Sequence, residues 1–214
     1  MTGYRLQGKQ GSIYICGDSA IRKLIIIFII LVLIFAVDTA WAEKAGEWFE
    51  KGNMAMSSGY NNVAIRFFKK AIEIDPNYLE SYINIGLLYN KEGDTEKAIS
   101  YYEKAIAVDP DFTKAHYNLG VIYAKKGKSD QAITEFKRCI SIDPDYAEVY
   151  SQLGTVYLSK GRDSEAADHF YKAGLLFLKQ GDKGSALKAY EGLKKTKSKE
   201  LERNLSEKLN LKSN

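Results

Sequence analysis

The sequence predicts an all-α chain, a solenoid of antiparallel helix hairpins closed by a C-terminal capping helix. Three observations carry this. The prolines of the 214-residue chain are Pro76, Pro110 and Pro144, 34 residues apart. Two glycine series keep the same period, Gly52, Gly86, Gly120 and Gly154, and Gly59, Gly93, Gly127 and Gly161. Three further columns run in phase: Ala64, Ala98, Ala132 and Ala166; Phe68, Tyr102, Phe136 and Phe170; Ala71, Ala105, Cys139 and Ala173. A period between about 20 and 50 residues marks a unit that cannot bury its apolar face alone and stacks on its copies.

The first element is a leader, residues 1–42. Arg22 and Lys23 precede fourteen uncharged residues, Leu24 to Val37, and Ala40-Trp41-Ala42 follows. A basic flank, an apolar run and small residues at a cut site are the layout of a secretory signal, with cleavage expected after Ala42. Fourteen helical residues rise about 21 Å, short of the roughly 30 Å hydrocarbon core, so an uncleaved anchor over 24–37 is the alternative. The positive flank places the rest of the chain outside the cytoplasm, periplasmic or extracellular.

The units follow at about 45–78, 79–112, 113–146 and 147–180. Each carries two apolar stripes of helical period, a glycine between them and an Asp-Pro pair at the end, which is a helix hairpin. Asn61, Thr95, Ser129 and Asp163 are expected to cap the second helices. Asn77 with Glu80 and Asp145 with Glu148 suit capping boxes for the first helices, and Asp111 a cap without its box. Gly86, inside the first-helix stripe "SYINIGLLYNKEG", is expected where the paired helix crosses closely.

The period then breaks. Gly174 follows Gly154 by 20 residues, so fourteen are missing. One helix from about Ser164 to Gln180 is expected to serve the fourth unit and a fused partial fifth that runs to 196. Leu201, Leu205 and Leu209 in the basic segment 197–214 suit a capping helix with Ser198 as its N-cap.

With these residues in place, the chain resembles the tetratricopeptide repeat family. The family's first-helix places are Trp48, Tyr82, His116 and Tyr150; Lys51, Ile85, Leu119 and Leu153; the first glycine series; and Ala55, Tyr89, Tyr123 and Tyr157. The resemblance covers about 43–193 and implies a right-handed superhelix whose first helices line a concave groove. It assigns to that groove Phe49, Asn53, Ile83, Asn84, Leu87, Lys114, Tyr117, Asn118, Val121, Gln152 and Thr155. Asn84, Asn118 and Gln152 recur every 34 residues and are expected to form an amide ladder facing a bound peptide. Asn53, Asn84 and Lys114 also fall on places of the family's carboxylate clamp, but Phe49 and Asn118 stand where it has basic residues, and no clamp is expected.

Composition narrows the function. The chain is 45% apolar and 27% charged, the make-up of a folded domain. Residues 43–182 carry 18 basic and 21 acidic side chains and 183–214 nine and four, so the repeats are not a nucleic-acid surface. No metal-ligand spacing, P-loop or nucleophile elbow occurs, and no cofactor is expected. His116 reads as a partly buried packing residue, His169 as surface, and Cys139 as an inert small hydrophobe. The basic tail reads as the solvated face of a cap. The expectation is a non-catalytic, exported scaffold that binds a peptide segment of an envelope or secreted protein and assists complex assembly. A self-associating structural protein and an accessory domain of an envelope hydrolase are the alternatives, and an uncleaved leader would add membrane contact.

Overall fold

The computed structural model describes the backbone of residues 19–211 and the side chains of 23–31 and 44–211. Among the described residues there are ten α-helices and no strand. They are α1 (Ser19–Ser57), α2 (Asn61–Ile74), α3 (Leu79–Lys91), α4 (Thr95–Val108), α5 (Thr113–Lys125), α6 (Ser129–Ile142), α7 (Ala147–Ser159), α8 (Asp163–Lys179), α9 (Lys183–Lys194) and α10 (Lys199–Lys208). The chain forms two compact units, Met1–Lys44 and Ala45–Asn214.

In the first unit, Leu24 to Leu31 stand 49 to 67% exposed on α1. Among the described residues no helix is long and apolar enough to cross a membrane. The rest of the apolar run and the side chains of Ala40-Trp41-Ala42 lie outside the described residues.

The second unit is the all-α repeat array. Each hairpin turns on a glycine with positive φ, such as Gly93 at +86°. There the Gly93 N–H donates to the Asn90 carbonyl at 3.2 Å and the Asp94 N–H to that of Tyr89 at 2.9 Å, which satisfies carbonyls left open at the end of α3. Inside the hairpin, Gly86 touches the ring of Tyr102. A Cβ on Gly86 would lie 2.3 Å from Tyr102 Cε1, and Gly52, Gly120 and Gly154 meet Phe68, Phe136 and Phe170 in the same way. The two columns are one device: the glycine admits the aromatic, and the ring fills the space between the helices.

The caps differ from expectation. Asn61, Thr95, Ser129 and Asp163 are the first helical residues rather than caps, and in the capping places of α2, α4, α6 and α8 only Asp94 makes a side-chain bond, to the Lys97 N–H. The boxes at Asn77 and Asp145 do not form, nor does Asp111 cap α5. Asp75, Asp109 and Asp143 each accept the N–H two residues on, at 2.9, 2.9 and 3.0 Å, so helices α3, α5 and α7 begin past the next aromatic, Tyr78, Phe112 or Tyr146. The aspartate before proline therefore shapes the corner as an Asx turn. Ser198 holds the N-cap place of α10 without a side-chain bond.

Helix α8 is continuous for 17 residues and packs against α7, α9 and α10. Leu205 and Leu209 of α10 are buried, and Leu205 sits over Gly174 of α8, where a Cβ would lie 2.6 Å from it. α9 reaches back past α8 to α7, with Gly192 against the Phe170 ring.

Candidate functional site

Residues 34 apart fall into columns along α1, α3, α5 and α7, and the columns do different work. Phe49, Ile83, Tyr117 and Ser151 form the first. Phe49 packs at 5.0 Å on Tyr78 and 5.5 Å on Phe68, and Tyr117, two units on, packs at 5.3 Å on Tyr146 and 6.2 Å on Phe136. Ile83 is 6% exposed, in one core cluster with Tyr82 and Leu119. Ile83 is therefore a core residue and not part of an open groove, a correction to its expected place. A helical wheel gives the direction in which a side chain leaves its own helix, but not what the next unit puts in front of it. The aromatic column Tyr78, Phe112 and Tyr146 supplies that contact. It keeps the same 34-residue period in the sequence, two places after each proline.

The next column carries the amides, and it is not a ladder. Asn84 Nδ2 donates to Asn53 Oδ1 at 3.2 Å, joining α3 to α1. Asn118 Nδ2 turns back to the Lys114 carbonyl of its own helix at 2.7 Å. Gln152 lies beside the Tyr117 hydroxyl, which burial pushes above the ordinary tyrosine range and which the amide pulls the other way. A spacing of 34 places amides at equal stations, but each side chain reaches the nearest partner within hydrogen-bond range.

The open surface is the third column, Asn53, Leu87, Val121 and Thr155, with Lys114 at its rim. Leu87 is 40% exposed, Val121 half-buried and Thr155 exposed. Lys114 Nζ lies 3.7 Å from Glu80, one unit back, which offsets its charge. This face thus carries Leu87 and Val121 in one line, with polar Asn53 and Thr155 at its two ends and the amides beside it.

Other polar residues are structural. His116 is 7% exposed and takes the place that tyrosine holds in its column. Tyr82 and Tyr150 donate to the carbonyls of Pro76 and Pro144 at 3.1 Å, and His116 Nε2 meets that of Pro110 at 3.0 Å. His116 Nδ1 lies 2.7 Å from Glu135, so both ring nitrogens face acceptors. His169 is half-buried between Tyr150 and Tyr157 rather than on the surface, with ring centroids at 6.1 and 5.0 Å. Burial pushes the Cys139 thiol up to about 12, and its Sγ reaches only the Thr113 carbonyl at 3.5 Å, so it stays an unreactive thiol. Among the described residues no group of three or more His, Cys, Asp or Glu side chains is arranged to hold a metal ion.

Family models of the tetratricopeptide repeat match residues 48–78, 67–100, 86–127 with 122–161, and 170–196, together about two thirds of the chain. No curated protein matches it. Among solved structures, a crystal structure of MamA is 26% identical, with 70% of this chain and 95% of that one aligned and a TM-score of 0.52. A second MamA structure is 24% identical over 80% and 98%, with a TM-score of 0.55. PilF of Pseudomonas aeruginosa is 18% identical over 80% and 86%, with a TM-score of 0.57, a likeness of fold alone.

Proposed function

Because the chain belongs to the tetratricopeptide repeat family, we propose that it is a non-catalytic, exported scaffold that binds a peptide segment of an envelope protein in its concave groove and so assists assembly of a larger complex. The observation that carries this is Leu87. It is a large apolar side chain left exposed on the groove side of α3, in line with half-buried Val121 and flanked by Asn84 and Asn118. An apolar line bordered by amides suits a peptide that buries alternate or helically spaced side chains while its backbone meets polar groups. Its test is photo-crosslinking in the envelope fraction. A crosslinker replacing Leu87 is expected to trap a discrete protein, and one replacing exposed Lys104 on α4 is not. Identical adducts from both places would remove the groove from the account.

Export is supported by the leader layout and by the eight apolar side chains from Leu24 to Leu31 that stand in solvent on α1. Such a surface marks a nonpolar environment. Cleavage after Ala42 is one outcome. Retention of the leader as an anchor with membrane contact is the alternative, with α1 continuous through that site. The intact mass of the mature protein decides: loss of residues 1–42 supports cleavage, and their presence supports the anchor.

Self-association has its own observation. Met54 is 62% exposed, whereas Leu88, Ile122 and Val156, at the same place in later units, are 2, 2 and 3% exposed because a preceding unit covers them. The edge of the array at Met54 is open, whereas α10 covers α8 at the other end. Light scattering that shows a dimer broken by Met54→Glu would support this reading, and a monomer at all micromolar concentrations would remove it.

A further inference from the structure

The groove changes character at its C-terminal end. In the second and third units the first column carries Ile83, buried in the core, and Tyr117, and the third carries Leu87 and Val121. In the fourth they shrink to Ser151 and Thr155. α9 reaches α7 at that same unit, so small residues on one wall face a helix on the other. Between them is a cleft of about 400 Å³, within the range of ligand sites. Leu158, Leu187 and the Phe170 ring line its apolar part, and the outer wall is Lys188, Glu191 and Lys195. Thr155 donates its hydroxyl to the Ser151 carbonyl at 3.1 Å, so its hydroxyl proton is already engaged. Lys194 lies 3.4 Å from Glu191 and offsets it, whereas Lys188 and Lys195 pair with no carboxylate among the described residues. The cleft therefore has an apolar interior and a positive rim.

We infer that this cleft binds one aromatic or aliphatic side chain of a partner peptide whose adjacent residues are acidic. The inference rests on the groove reading and names its ligand: a negatively charged segment anchored at the end of the groove. Size and charge both select it. Ser151 and Thr155 leave room where the second and third units carry larger side chains in the same columns, and the lysines complement carboxylates on either side of the anchor. The chain's own ends do not fit that chemistry, since residues 1–18 carry Arg5 and Lys9 against Asp18, and residues 212–214 carry Lys212.

The test is selection of random displayed peptides on the full chain in detergent, followed by fluorescence anisotropy of the labelled consensus peptide. The expected consensus is Phe, Trp or Leu next to Asp or Glu, with affinity that falls as salt rises. Ser151→Trp, which fills the cleft, and Lys188→Glu with Lys195→Glu, which reverses its rim, are each expected to weaken binding at least tenfold. Both lysines are exposed, so their reversal leaves the fold intact and a loss there reports the rim. A basic or uncharged consensus, or binding unchanged by both variants, would overturn the inference. Peptides that bind Ser151→Trp normally but fail on Leu87→Glu would overturn it while leaving the groove reading standing. Failure to select any peptide would overturn both.

Discussion

Two glycines seven residues apart do unlike work, and substitution separates them. Gly86 faces a ring, and alanine there gains about 1 kcal/mol of helix propensity but drives its methyl into Tyr102. The overpacking is worth about 1–3 kcal/mol, so Gly86→Ala is expected to lower stability in urea unfolding, and Gly86→Leu to loosen the array. Gly93 has open space around it and φ of +86°, so Gly93→Ala pays only for the left-handed backbone, about 1–2 kcal/mol. The two are told apart by a second change: Tyr102→Ala is expected to rescue part of the Gly86→Ala loss and none of the Gly93→Ala loss. The reverse case is Lys197, which holds φ of +62° at the end of α9 without being glycine. Lys197→Gly is expected to raise stability by up to about 1 kcal/mol, read as a higher urea midpoint at unchanged slope. These glycine and aromatic columns were legible in the sequence because a close approach between helices admits few residue types and so keeps its period. Ile83 was not, because its burial is set by Phe112 and the neighbouring helices of other units and leaves no mark on its own helix.

At the scale of elements, the missing fourteen residues foretold one long helix, and α8 occupies 163–179. The gap gave the length of α8 but not the path of α9, since how closely α9 packs on α8, and so whether it also meets α7, depends on Gly192 admitting the Phe170 ring of α8. Capping was misplaced for a related reason. Candidate cap residues compete with the aspartate before each proline, and that carboxylate takes the nearby N–H first. Helix α10 is held by Leu205, fully buried over Gly174, with Leu209 buried just past its end. Leu205→Ala is expected to lose about 2–5 kcal/mol, and hydrogen exchange should quicken in α8 and α10 while α3 and α4 keep their protection. Equal quickening along the array would show that the cap is coupled to every unit.

For the whole molecule, charge sets the pH window. Asp94, Glu96, Asp130, Asp145 and Glu165 sit below their ordinary values because Lys97, Lys126, Lys160, Lys179 and Arg162 hydrogen-bond them, and Asp182 because of Ser185. A depressed carboxylate stabilises the fold in full above its unfolded value and less as pH falls through the folded one. The melting temperature is therefore expected to drop below about pH 4, modestly because these groups are exposed, and less in high salt. At the alkaline end the sign reverses. Burial pushes Tyr146 and Cys139 each up to about 12, and raises Tyr102 and Tyr117 too. Stability from these groups is complete below their unfolded values and falls as pH climbs from about 9 towards the folded ones.

The fold was legible because one unit is written four times, whereas the groove was legible only as a face. Its surface chemistry depends on which side chains find partners inside the protein: Asn84 finds Asn53, Asn118 its own helix, and Lys114 Glu80, leaving Leu87 and the cleft beside α9 as the open sites. The most direct measurement of the central claim is hydrogen exchange on the full chain with and without the segment trapped by the Leu87 crosslink. Slower exchange confined to α3, α5, α7 and α9 is the predicted result. Slower exchange on α4 and α6, with those helices unchanged, would contradict it.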